Sequence, residues 1–203
     1  MAFDYCSVLD VFDYGNTKGT STDPIDARAW VGRLITSVSR AIDARCMQAF
    51  SQESYVDLPH VAQIDAAGVL TISPACPVMA APTAAAYRIG AATGWQTLTL
   101  ADVEVTESPH GAVVRFLGND LLAMRFKGRI TVRASYVGGY ANLDALPQDL
   151  RLAAIAATWY EYTRRSAMQD TTAMPEMGVI IIPGDWPKNI RQLLADYAKV
   201  TRK

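Results

Sequence analysis

The sequence predicts an α+β protein, with a long N-terminal helix and C-terminal helices packed with an antiparallel β-sheet insertion. Three observations predict it. Apolar residues recur at helical spacing over residues 22–50. Residues 53–140 break into short strand-like runs cut by glycine and proline. Helical spacing returns over residues 147–165 and again near the end of the chain. A parallel sheet would need crossover helices between its strands, and none is visible, so hairpins are the expected connection. The chain has 203 residues, enough to bury a core. It reads as a single domain over residues 1–203, with a helix (22–50), a β-rich part (53–140), a helix (147–165), and an extended segment with a closing helix (166–203).

Residues before Thr22 read as mixed, with turn chemistry at Tyr14-Gly15-Asn16 and Lys18-Gly19. The first strong helix follows. Thr22 or Asp23 caps it, Pro24 starts it, and Asp26 sits in its first turn. Val31, Leu34, Ile35, Val38, Ala41, Ile42 and Cys46 form one stripe, and the helix frays over residues 48–51. Strands are predicted at 54–58, 69–73, 84–89, 96–100, 103–107, 112–117 and 129–137. In the last, Ile130, Val132, Ala134 and Tyr136 fall on one face, and Arg129, Thr131, Arg133 and Ser135 on the other. Gly138 and Gly139 let that strand end abruptly.

Pro147 suits the first position of the next helix, and Asp149 suits the positive end of its dipole. Residues 152–160 carry no charge and are apolar almost all round. Such a helix must be covered on more than one side, either centrally within the domain or by a neighbouring subunit. The following segment, SAMQDTTAMPEMGVIIIPGDWP, is too long for an ordinary helix connection. Its apolar run at 179–182 suits a strand added to a partner's edge, or a segment laid in a partner's groove. A last helix is predicted over residues 187–200, with Ile190, Leu193, Leu194 and Tyr197 on one side.

Composition excludes several classes. Half of the residues are apolar and the formal net charge is −1, so whole-molecule attraction to nucleic acid or anionic lipid is not expected. The charge is uneven: Asp4, Asp10 and Asp13 lie near the start, and Lys188, Arg191, Lys199, Arg202 and Lys203 near the end. No targeting signal and no membrane-length apolar run is evident. Cys6, Cys46 and Cys76 are odd in number and far apart. They read as reduced thiols, two of them packed as small hydrophobes, in a chain made in a reducing cytoplasm.

Catalytic equipment is sparse. His60 and His110 sit among turn residues, and the spacing of Asp57, His60 and Asp65 matches no metal-ligand motif. Ser108-Pro109-His110 is no nucleophile elbow. There is no phosphate-binding glycine loop and no CxxC pair. No catalytic residue, cofactor or metal is expected. Three surface features remain. Arg125, Lys127, Arg129 and Arg133 are spaced by even numbers and share a face in an extended chain, facing either phosphates or plain solvent. The basic last helix suits an acidic partner. Trp159, Tyr160 and Tyr162 read as packing residues, whereas Trp186, in a connector, reads as an interface anchor.

Three blocks of residues then carry a resemblance. They are ARAWVGRLITSVSRAIDARCMQAF, PACPVMAAPTAAAYRI, and ITVRASYVGGY followed by LPQDLRLAAIAATWYEYTRR. Together they resemble the head–tail connector (adaptor, or head-completion) proteins of tailed bacteriophages and gene transfer agents, across residues 20–200. The stretch VIIIPGDWP matches no motif of that family. The resemblance implies a structural virion protein of the neck, made in the host cytoplasm and without enzymatic activity. It implies a homo-oligomeric ring, a dodecamer, between the capsid portal and a stopper or tail protein. Double-stranded DNA would pass through the ring without sequence specificity. Within that reading, the basic charge of the last helix and Trp186 make Trp186, Lys188, Arg191, Leu194 and Tyr197 the residues expected to dock the portal, and Arg125, Lys127, Arg129 and Arg133 are expected to face the channel or a neighbour. Truncation after Ser166 is expected to leave a folded chain that fails to bind portal. The alternatives are a stopper or tail terminator, for which more sheet is expected, and a small cytoplasmic enzyme.

Overall fold

The computed structural model describes residues 3–15, 25–65, 67–77, 79–90, 94–117, 130–169 and 186–198. Two compact units are present. One is helical, built from Phe3–Met47 and Asn142–Ala198, and the other, Gln48–Ala141, is built on a sheet.

The helical unit contains α1 (Val8–Tyr14), α2 (Ile25–Cys46), α3 (Gln148–Gln169) and α4 (Lys188–Ala195). The first helix is therefore short, and the long helix expected at the N-terminus is the second. The Ser7 side chain accepts from the Asp10 N–H, and the Asp10 side chain accepts from the Ser7 N–H, a reciprocal capping box that starts α1. The predicted caps of α2 at Thr22, Asp23 and Pro24 lie outside the described residues. The stripe on α2 is buried at every predicted position, from Val31 to Cys46. The helix stops at Met47, whose φ of 54° is the left-handed turn that ends many helices.

α3 touches α1, α2 and α4. Ala153, Ala154 and Ala157 are fully buried, and such small side chains let neighbouring helices approach closely. Of the two explanations for its apolar circumference, cover by the chain's own helices accounts for most of it. Leu152 remains exposed. α3 also runs past the predicted end at 165, to Gln169.

The second unit holds β1 (Glu53–Ile64), β2 (Leu70–Ile72), β3 (Ala84–Ile89), β4 (Gln96–Thr97), β5 (Val103–Thr106), β6 (Val113–Phe116) and β7 (Ile130–Gly138). Their order is β4-β3-β7-β1-β2-β6-β5, and every pair is antiparallel. All seven predicted strands are present. The core gathers under β7, β2 and β6, with Leu70, Val114, Phe116, Val132 and Ala134 fully buried. On β7, Ile130, Val132, Ala134 and Tyr136 are buried, while Thr131, Arg133, Ser135 and Val137 are half-buried.

β1 runs well beyond the predicted stop at 58. Pro59 pairs with Arg133 on a stretch whose other edge has no partner strand among the described residues, and such an edge accommodates proline. A bulge lies between Tyr55 and Leu58, with Asp57 at φ 50° and its N–H donating to Ser135 Oγ at 3.0 Å.

Candidate interaction surfaces

The closing helix begins at Pro187, whose φ of −50° and ψ of 152° turn the chain into α4. Ile190 and Leu194 recur at i, i+4 and are buried, as is Tyr197 one turn later. Cys46 Sγ lies 3.9 Å from the Leu194 carbonyl oxygen, a weak contact between α2 and α4. Trp186 is only 1% exposed. Its indole Nε1 is buried with no hydrogen-bond partner among the described residues. Lys188 and Arg191 are exposed.

The five residues expected to dock a partner thus divide. Trp186, Leu194 and Tyr197 are buried within the chain, and Lys188 and Arg191 point outward. A connector tryptophan looks the same in sequence whether its pocket lies in its own chain or in another. The expected clean truncation after Ser166 is corrected by the same facts, since it would remove Trp186, Ile190 and Leu194 from the chain's own interior.

The second surface lies on the solvent side of the sheet. On β7, Arg133 stands opposite Ala86, and on the adjacent β3, Arg88 stands opposite Thr131, which puts both arginines on one face. The Arg88 Cζ is 4.7 Å, and the Arg133 Cζ 4.8 Å, from the centroid of the Trp95 ring. These are cation–π distances. Neither arginine has a carboxylate within ion-pair reach among the described residues. The Arg88 Nε is buried without a hydrogen-bond partner among the described residues. Arg125, Lys127 and Arg129 lie outside the described residues. Sequence spacing found Arg133 but missed Arg88 and Trp95, because cross-strand register is not written in either strand alone.

His60 is not a loop residue. It lies on β1, with Nε2 3.2 Å from the Tyr136 hydroxyl and its ring 5.7 Å from that ring. Burial, with smaller effects from Cys76 and Tyr55, pushes the Tyr136 phenol well above its ordinary range. Asp65 serves a turn, accepting from the N–H groups of Ala67 and Val69, each at 2.9 Å. The Val69 bond is the largest cause holding its carboxyl below the usual range. Asp57 is engaged in the β1 bulge. Among the described residues no three His, Cys, Asp or Glu side chains converge as a metal site. Cys6, Cys46 and Cys76 are all buried and form no disulfide with one another, where two were expected to be packed. Burial pushes the Cys6 and Cys46 thiols up to about 12. No helix among the described residues is long and apolar enough to cross a membrane.

No family model and no curated protein matches the chain. Solved structures do. It is similar to a chain from the neck of an empty gene transfer agent particle computed with C6 symmetry, at 20% identity and TM-score 0.57, covering 97% of this chain and 90% of that one. A chain from the neck of a native particle computed with C12 symmetry is 15% identical with TM-score 0.50, covering 100% and 97%. A chain of the native gene transfer agent virion is 17% identical with TM-score 0.50, covering 97% and 90%. At these identities what is shared is the fold, along nearly the whole of each chain.

Proposed function

We propose that this chain is a structural component of the neck of a phage-like particle, acting as a connector that forms a ring between the capsid portal and the tail. The observation that supports it most is the fold shared with gene transfer agent neck chains, over 97% of this chain in the comparison with the empty particle. The C6 and C12 symmetry of those particles supports a ring, here of twelve copies.

In this reading the two units act together as one connector. The exposed Lys188 and Arg191 of α4 meet an acidic surface of the portal, in a contact that steers and orients docking. Trp186, Leu194 and Tyr197 hold that helix from behind. The basic face that includes Arg133, with Arg125, Lys127 and Arg129 in the preceding chain, lines the DNA channel or meets a neighbour. Contact with passing DNA there is to phosphates and indifferent to sequence. A stopper or tail protein takes the far side of the ring. The two 22-residue helices α2 and α3 favour the adaptor over the stopper and tail-terminator alternatives, for which more sheet is expected.

The test is the mass of the particle formed from purified chain and purified portal. The expected result is a closed ring of twelve copies on the portal. Lys188→Glu with Arg191→Glu should weaken portal binding by about tenfold or more, while the folded signal and ring mass stay unchanged. A chain that binds only tail-side components would move the assignment to stopper or terminator, and one that binds neither side would overturn it.

A further inference from the structure

We infer that Arg88, Trp95 and Arg133 form a socket for carboxylates, and that Asp149 and Asp196 of a second copy of this chain fill it. This rests on the ring reading above and names one interface within it. Both guanidiniums lie against the same indole, at 4.7 and 4.8 Å from its centroid. Stacking uses the flat face of a guanidinium. The N–H donors lie at its edge, in the plane, where they can grip an oxyanion. Arg88 Nε is such a donor, buried and without a partner among the described residues. Two like charges held at one ring repel each other, and an anion between them offsets that repulsion. Residues 118–129, which precede β7 in the chain, carry Asp120 against Arg125, Lys127 and Arg129, so they add more positive charge than negative. Arginines already held against an indole lose less freedom on binding than free ones.

The surroundings favour a protein occupant over DNA. Across residues 48–141 acids outnumber bases, so this unit lacks the broad positive charge that duplex DNA needs. Arg115, further along the sheet, is taken by Asp65 and Glu104. The face is also partly apolar: Pro59 stands opposite Arg133 and Val61 opposite Thr131, and Val61 is 56% exposed. Arginine and tryptophan set beside apolar area are what protein interfaces concentrate at their centres. The complementary patch lies on the helical unit. An open cleft of about 350 Å³ is lined by Asp10, Gln148, Asp149, Arg151, Leu152 and Ile155. Arg151 neutralises Asp10 at 2.8 Å, whereas Asp149 has no cation within ion-pair reach among the described residues. Burial, then Asp149 and Asp196, raise the pKa of the Tyr197 phenol, so both carboxylates lie near it. Both are exposed, and Leu152 adds an exposed apolar side chain beside them. A basic aromatic patch and an acidic one on the same chain are unlike surfaces, which is the head-to-tail geometry a ring requires.

Charge exchange tests this in the full chain with purified portal, read by particle mass against chain concentration. Protein carrying Arg88→Glu with Arg133→Glu should need about tenfold more chain to form rings, and so should protein carrying Asp149→Arg with Asp196→Arg. Mixed in equal amounts, the two should assemble near the wild-type concentration, because each reversed patch then meets its opposite. Recovery in the mixture also shows that both variants fold. If either fails to melt cooperatively, Arg133→Gln and Asp149→Asn replace them, and their losses should be non-additive when combined in one chain. Folded variants that do not recover when mixed, additive losses in the neutral pair, or rings indifferent to every change would overturn the inference and leave the ring reading standing. So would loss of duplex DNA binding in the arginine variant with ring assembly unchanged, which assigns the socket to phosphates. A wild-type chain that stays monomeric with and without portal would overturn both.

Discussion

At Gly139 the backbone takes a φ of 96°, and a Cβ placed there would lie 2.4 Å from the Ser51 carbonyl oxygen. That oxygen belongs to backbone paired around Tyr140, since Tyr140 N–H donates to the Phe50 carbonyl at 2.7 Å, so it has little freedom to yield. Gly139→Ala combines left-handed strain with a backbone clash and should cost about 2–4 kcal/mol. A lower midpoint in urea unfolding, at unchanged slope, checks it. Asp10 offers a different test. Partial burial raises its pKa, but the bonds from the Ser7 N–H and hydroxyl, and Arg151 at 2.8 Å, together hold its carboxyl below the usual range. A lowered folded pKa adds stability that is fully present above the unfolded value, about 3.9. That stability is lost as pH falls further, through the folded value. Asp10→Asn should therefore flatten part of the acid limb below about pH 4. At neutral pH it should cost no more than about 1 kcal/mol, because the pair is partly solvated. Thermal melts at pH 3 and pH 7 measure both.

Among the elements, those with a full period of pattern were legible. Every position of the apolar stripe predicted on α2 is buried, with Ser39 the buried residue it missed, and the alternation on β7 predicted its two faces. α1 was missed because seven residues are too few to show a helical period. Its Ser7-x-x-Asp10 cap was the readable signal. The strand predicted at 54–58 runs on through Pro59, because sequence cannot show that β1 has no partner strand on one side there among the described residues. α4 carries the largest consequence. Truncation after Ser166 removes the buried Trp186, Ile190 and Leu194. Losing even one large buried side chain costs about 2–5 kcal/mol. The truncated protein should melt at a markedly lower temperature or fail to fold, measured by circular dichroism. Loss of portal binding in that variant would not distinguish docking from unfolding. The surface substitutions at Lys188 and Arg191 do distinguish them.

For the whole molecule, local pattern by itself determined the α+β class, the seven strands with their antiparallel sense, and the interior face of α2. Those are set by side-chain periodicity and by the backbone habits of glycine and proline, both readable within a few residues. Tertiary structure alone decided where Trp186 is spent, which arginine shares Trp95 with Arg133, and what covers α3. Each of these depends on the neighbour that long-range packing brings alongside. A residue's own segment records what it prefers to touch and is silent about whether the chain or another copy provides it.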